Sequence, residues 1–410
     1  MPDAAMFVVI DEAVEQALLQ LAYSLPQADG APILELDALV RDDDGVATVG
    51  LPGQLPSYLT HRPGEPLPSF GVNLPSGQAP SRELIASTPP DSPVLLLVAS
   101  PDAQIRVQGA FFQACSSDPK LCEVDVVRLE TDIFSRLKGI FDTSVLASKV
   151  VCIIGVGSGG STGAMELAKS GVGKFILVDF DRLRAHNVSR HVCGLSDVGR
   201  FKTRAVKDMI MQHSPMATVQ CHETDITRDD DLLAQVVSES DLILVATDNE
   251  LSRYLVNEAC LAASKPAVYG GAYERAFAGE VIRVIPGEGG CYACVRQGMA
   301  NTMRSISSQQ VFDYTDDSEL EAEPGLGLDV SFIAMIHTKI ALMTLLRGTE
   351  SIIGDIDAEM VLWTNTARPQ DGELFERAMT RYLVRIAKSE ECSSCGVDSD
   401  IISPQDDCQP

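Results

Sequence analysis

The sequence predicts an α/β protein built on a doubly wound, largely parallel sheet, with a smaller α+β domain in front of it. Three observations carry that expectation. Beyond Lys149, short β-branched runs alternate with amphipathic segments, the pattern of a parallel sheet with helices on its faces. The runs are nearly continuous in apolar character, as strands buried on both sides must be. And a glycine-rich turn, Gly155-Val156-Gly157-Ser158-Gly159-Gly160, follows the first run directly.

Taken in order, residues 1–125 form an N-terminal accessory domain with a Pro/Gly/Ser-rich centre and one strong strand candidate, Pro93–Ser100. The second domain is 126–410, entered through a helical linker at 132–148. Its expected strands are VVCII from Val150, KFILVDFD from Lys174, ATVQCHE from Ala217, DLILVAT from Asp241 and PAVYGG from Pro266. Between them Ser161–Ser170, Lys202–His213, Asp229–Ser238 and Glu250–Ser264 carry helical spacing. The pattern changes after Gly279. A strand (GEVIRVIPG) is followed by a cysteine pair, an acidic loop near 299–328, an apolar helix Asp329–Leu346 and a strand-like run Met360–Thr366.

Bulk properties narrow the function. A chain of 410 residues with 45% apolar content can bury a sizeable core. A formal charge of −26 disfavours nucleic acid as the main partner. No run reaches the ~20 uninterrupted apolar residues of a membrane span, and the start carries no cationic leader. The expectation is a cytoplasmic protein with neither nucleic-acid nor membrane partners. Of its eleven cysteines, four form two C-x-x-C pairs, which in a reducing compartment points to metal before disulfide.

The glycine turn sits between a buried strand and a helix. There glycines let the backbone approach a phosphate, and the helix N-terminus presents oriented N–H groups. Glycines serving only close helix packing are the plainer reading. Asp179, ending the next strand, suits ribose hydroxyls. ATP and NAD are not separated by these features, but the residues downstream separate them. Adenylating a carboxylate requires cations around the pyrophosphate that leaves and a site for Mg²⁺; hydride transfer does not. The sequence supplies Asp179-Phe180-Asp181, Asn187-Val188-Ser189-Arg190-His191, Gly199-Arg200-Phe201-Lys202 and Thr247-Asp248-Asn249.

In these ordered motifs the chain resembles the HesA/MoeB/ThiF family, the fold core of ubiquitin-activating enzymes, over about two thirds of its length from Asp132. The resemblance implies a Rossmann-like sheet of the ThiF type and a nucleotide site of Gly155, Gly157, Gly159, Gly160, Asp179, Asp181, Asn187, Arg190, Lys202 and Asp248. Asn187, Arg190 and Lys202 would meet the ATP phosphates, and Asp248 would hold Mg²⁺ near the attacking carboxylate. Arg136 matches an arginine that often reaches the nucleotide of the other half of a dimer, although Leu137 and His191 each stand where the family usually has glutamine. The implied substrate is the C-terminal glycine of a ubiquitin-like protein, with a conjugating-type enzyme as second partner and a homodimer as the working form. A sulfur-carrier protein or small carboxylate is the alternative substrate, and an NAD(P)-dependent oxidoreductase the alternative of another class.

Cys291, Cys294, Cys392 and Cys395 suit one tetrahedral Zn²⁺, and the family resemblance implies the same site. The loop over the active site holds no cysteine, which departs from most ubiquitin-activating enzymes. Cys193, beside Arg190 and His191, is the first candidate acceptor, on the argument that a nearby cation lowers a thiol pKa. Cys408 in the tail is the second. In the first domain, Gly71–Glu83 faintly resembles a JAB-type metalloprotease motif without its histidines. A degenerate adenylation-type half is the other reading of this non-catalytic, partner-binding region.

Overall fold

The computed structural model describes residues 6–22, 33–41, 45–56, 64–74, 79–85, 88–100, 107–129, 133–306 and 325–396, with the backbone alone at 300–306. The chain divides into two compact units, Met1–Ile133 and Phe134–Pro410.

The first unit is richer in strands than its sequence suggests. It contains β1 (Phe7–Asp11), α1 (Glu12–Ala22), β2 (Ile33–Arg41), β3 (Val46–Gly50), β4 (Glu65–Pro66), β5 (Ser69–Asn73), β6 (Val94–Ala99), β7 (Val107–Phe112) and β8 (Pro119–Val127). The eight strands form one sheet in the order β3-β1-β8-β7-β6-β5-β2-β4. The long β2 pairs with β3 as well as with β5, so the order returns on itself. Only β6 is buried at every position, which explains why it alone stands out in the sequence. The others alternate or are short. Helix α1 starts where Asp11 accepts the Val14 N–H at 3.0 Å, and it buries Val14 and Leu18 against one face of the sheet. β8 continues past residue 125, so the first unit extends beyond the boundary expected there.

In the second unit the expected linker helix at 132–148 is not formed. A 3₁₀ turn at Ser135–Leu137, a bend through Gly139 at φ 85° and a five-residue helix α2 (Thr143–Ala147) take its place. A left-handed glycine interrupts the run, and Asp142 starts a new helix by accepting the Ser144 N–H.

From there strands and helices alternate: β9 (Val150–Ile154), α3 (Ser158–Lys169), β10 (Lys174–Val178), α4 (Lys202–His213), β11 (Thr218–His222), α5 (Asp230–Glu239), β12 (Leu242–Val245), α6 (Glu250–Ala262) and β13 (Ala267–Ala272). These five strands run parallel in the order β11-β10-β9-β12-β13. Antiparallel strands β14 (Ala278–Val284), β15 (Met360–Thr364) and β16 (Thr380–Val384) extend the same sheet. Along β9, Val151 and Ile153 join one core with α3, α4 and residues 340–346, while Cys152 and Ile154 join the other with α5 and α6. This is the two-sided burial that a continuous apolar strand predicts.

Helix α7 (Tyr292–Ile306) occupies the first part of the segment expected as loop from 299, and α8 (Gly327–Leu345) begins before its end. The middle of that segment, 307–324, lies outside the described residues, as does Cys408. By length and composition α8 is apolar enough to cross a membrane (19 residues, mean hydropathy 1.5), and half of it is buried in the fold. It packs against α3 and β13, which is why it can be apolar nearly all round.

Candidate active site and cysteine centre

Strand β9 hands the chain to β10 on one side, and its other neighbour is β12. That reversal is the switch point at which open parallel sheets form a crevice beyond their C-terminal strand ends. A cleft of about 560 Å³ lies there. Gly155, Gly157, Gly159, Asp179, Asp181, Asn187, Arg190, Lys202 and Asp248 all line it.

Each is held for a local reason. Gly155 adopts φ 87°, and a Cβ on Gly160 would stand 1.9 Å from the Gly155 carbonyl oxygen, so packing alone demands glycine at both. Gly157, by contrast, faces open space. Asp179 buttresses the loop: its carboxylate accepts the Val156 N–H at 2.7 Å and the Asp181 N–H at 2.8 Å. Burial raises its pKa, opposed by the Lys202 ammonium and these backbone donors.

Lys202 opens α4 with its ammonium 2.7 Å from the Asp181 carboxylate, and its side chain is only 10% exposed. Asn187 ends a 3₁₀ turn, accepts the Arg184 N–H at 2.9 Å and receives the Arg190 N–H on its carbonyl at 3.0 Å. His191 accepts the Cys193 N–H on Nδ1 at 3.1 Å. Its Nε2–H therefore donates to the Val156 carbonyl at 3.0 Å. The ring is neutral, with burial as the main force lowering its pKa.

Asp248 stands exposed on the turn from β12 to α6, followed by Asn249, which caps α6 by accepting the Ser252 N–H at 3.2 Å. Nothing in the sequence singles out Arg253. Its buried guanidinium donates to the Thr247 carbonyl at 2.9 and 2.6 Å and to that of Gly270 at 3.1 Å. It fixes the ends of β12 and β13 and thereby the peptide that carries Asp248.

Three expected residues are not part of the cleft lining, and Gly160, packed against the Gly155 carbonyl, is the first. Arg136 is exposed on its 3₁₀ turn and does not line the cleft. Cys193 is a correction: it is 1% exposed within the hydrophobic core. Burial pushes its thiol up to about 12, outweighing the Arg200 guanidinium. A nucleophile needs the opposite.

The four cysteines at 291, 294, 392 and 395 converge. Their sulfurs lie within 4.8 Å of one another, with Cys291–Cys392 at 3.6 Å, Cys294–Cys395 at 3.4 Å and Cys291–Cys294 at 3.9 Å. None is disulfide-bonded. Four thiolates around one zinc, each bonded at about 2.3 Å, stand about 3.8 Å apart, so the set fits. The ion would fasten the C-terminal turn to the start of α7. Beside it a polar chain runs from the buried Glu280 to the exposed Glu250, and the sequence hints at it only through the charges within GEVIRV. Arg296 contacts Glu280, Tyr273 donates to Glu280 at 2.9 Å, and Tyr292 joins Arg296 to Glu250 at 3.0 Å on each side.

Fold and site together define an open Rossmann-like α/β class with a cleft at its glycine turn and a four-cysteine cluster. Residues 134–394 match the ThiF family, which is well over half of the chain, and the chain belongs to that family. It is 34% identical over 154 residues to the probable adenylyltransferase/sulfurtransferase MoeZ of Mycobacterium tuberculosis, covering 37% of this chain and 39% of that one. It is 30% identical over 169 residues to ubiquitin-like modifier-activating enzyme 5 of Caenorhabditis briggsae, covering 39% of each. The chain thus spans about two fifths of the length of these curated relatives. Among solved structures, E. coli MccB with MccA-N7isoASN is similar at a TM-score of 0.48 and 21% identity, covering 62% of this chain and 69% of that one.

Proposed function

We propose that this protein uses ATP to adenylate the C-terminal carboxylate of a ubiquitin-like protein. The observation that carries the reading is the convergence of Asp179, Asp181, Asn187, Arg190, Lys202 and Asp248 on one cleft beside the glycine turn. A carboxylate oxygen attacks the α-phosphorus, its new bond replaces the α–β bridging bond, and pyrophosphate leaves. Arg190 and Lys202 offset the charge accumulating on the departing phosphates. Asp248 is the expected ligand of Mg²⁺, whose role would be to screen those phosphates.

The acyl adenylate then passes to a nucleophile other than Cys193. Cys193 is too deeply buried to take it, so a cysteine of a conjugating-type partner is the favoured acceptor. The similarity to MoeZ supports a second reading, in which the substrate is a sulfur carrier and the product a thiocarboxylate. A homodimer belongs to the proposal, supported by the exposed apolar residues Leu328, Phe332 and Met335 along α8; Arg136 would then act on the neighbouring subunit's nucleotide. Four thiols kept for zinc also favour a reducing compartment, the cytoplasm.

The test is pyrophosphate–ATP exchange with a panel of ubiquitin-like proteins ending in glycine, against buffer and free amino acids. Exchange dependent on one such protein supports the reading. ATP binding without exchange for any of them counts against it. Mass analysis for a thiocarboxylate separates the two substrates.

A further inference from the structure

Between β13 and β14 the chain turns through Tyr273–Phe277, and Arg275 and Ala276 adopt left-handed backbone with φ 53° and 56°. Neighbouring non-glycine residues in that region are unfavourable and persist only where their surroundings over-determine them, commonly at ligand sites. The surroundings here do so. Asn365 donates from Nδ2 to the Ala276 carbonyl at 2.8 Å, and the Asn365 and Thr366 N–H groups reach the Phe277 carbonyl at 2.8 and 3.0 Å. The Phe277 ring packs on Phe375 and lies under the Arg368 guanidinium.

Both left-handed residues line the cleft, whereas Glu274 and Arg368 do not. Glu274 stands 3.5 Å from Arg275 and 3.9 Å from Arg368, and Arg368 is itself paired with Asp371 at 2.6 Å. An exposed pairing of this kind is held weakly. Arg275, whose side chain is 70% exposed, is the charged residue that this hairpin contributes to the cleft lining.

Strand order says which molecule that is. The glycine turn and Asp179 follow β9 and β10, Asp248 follows β12, and the hairpin joins the next strands along, β13 and β14. Arg275 therefore lies beyond Asp248 as seen from the glycine turn, on the side left to the carboxylate if the nucleotide occupies the glycine turn and Asp179. One to two strand spacings separate the two positions, roughly 5–10 Å, and an extended tail covers that in about two to three residues.

We propose that Arg275, set on this strained hairpin, is a specificity-determining residue that favours an acidic side chain two or three positions before the substrate's terminal carboxylate. A guanidinium is matched to a carboxylate in charge and in fork geometry. The inference rests on the adenylation reading and goes beyond it by naming what the tail carries.

The experiment uses the full chain, pyrophosphate–ATP exchange, and one ubiquitin-like protein whose tail holds Asp, Ala or Lys at those two positions. The wild type is expected to favour Asp over Lys about tenfold or more in kcat/KM, mostly through KM. Arg275→Glu reverses the preference. Arg275→Gly removes strain and charge together, so it folds at least as well yet no longer discriminates. A merely structural arginine would lower exchange equally for every tail. Equal rates in the wild type, or an unchanged preference in Arg275→Glu, overturn the inference and leave adenylation standing. No exchange with any tail overturns adenylation itself.

Discussion

The two sheets of this chain have the same number of strands and different consequences. The first mixes parallel and antiparallel pairs, returns on itself through β2, and carries one long helix among its described residues. The second runs five strands in parallel, continues into three antiparallel strands at one edge without its end strands β11 and β16 pairing with each other among the described residues, and has helices on both faces. An open parallel sheet needs crossovers on both sides, and where these diverge a crevice appears beyond the strand ends. A sheet that closes spends its strand edges on itself. The candidate site accordingly lies at the ends of β9, β10, β12 and β13, where backbone carbonyls and turns are available to position charge.

The largest test of that contrast is to remove charge from the crevice. Lys202→Ala and Asp248→Ala should each lower substrate-dependent exchange by about a hundredfold or more, with thermal unfolding little changed for Asp248→Ala because its side chain is exposed. Near-normal exchange in both variants would refute the assignment.

Next is Cys392→Ser, which breaks the four-thiol set. One zinc per chain is expected by metal analysis in the wild type and markedly less in the variant. A loss of several kcal/mol should be read as faster hydrogen exchange through the C-terminal turn and the start of α7. Undiminished zinc would exclude these ligands.

The third test concerns His337, which is buried under the cleft and bonded to the Val268 carbonyl at 2.8 Å. Burial lowers its pKa from 6.5 to about 4. Its unfolded form binds a proton first, so its contribution to stability is intact above pH 6.5 and is lost as pH falls towards 4. The whole window amounts to about 3 kcal/mol. Chemical denaturation of wild type and His337→Gln across it should show a steeper acid loss in the wild type; parallel curves would remove the histidine from the explanation.

The smallest effect belongs to the first sheet. Arg82 ties together the carbonyls of Pro89, Ser92 and Gln113 at 2.8, 2.5 and 3.1 Å. Arg82→Ala should destabilise that unit by about 1–3 kcal/mol while exchange proceeds at the wild-type rate. A drop in exchange would show that the two regions are functionally coupled.

Legibility followed the same division. In the second unit the strands at VVCII and DLILVAT, and the helix Lys202–His213, were readable because two-sided burial leaves an unbroken apolar run and one-sided burial leaves a period. In the first unit most strands are short or alternate, as in β8, whose pattern is only half apolar. There the pairing partner, often distant in the chain, selects the strand. Ordered charges marked the cleft, but the sequence could not reveal that Asp179 already holds two backbone N–H groups, nor that Arg253 fixes the strand ends from beneath.

Cys193 shows the limit most clearly. Next to Arg190 and His191 in the chain, it reads as an activated thiol; folded, it faces the apolar core, and desolvation outweighs the cation that acts on it there, Arg200. What the sequence determined by itself were the patterns that local geometry enforces: glycine where φ is positive or no Cβ fits, two sulfurs spaced to share one ion, and strand and helix periods. Tertiary structure alone decided that Cys193 faces the core, that Arg253 braces the strand ends, and that Arg275 stands at the cleft's rim, because those depend on strand order and burial, which bring together residues far apart in the chain.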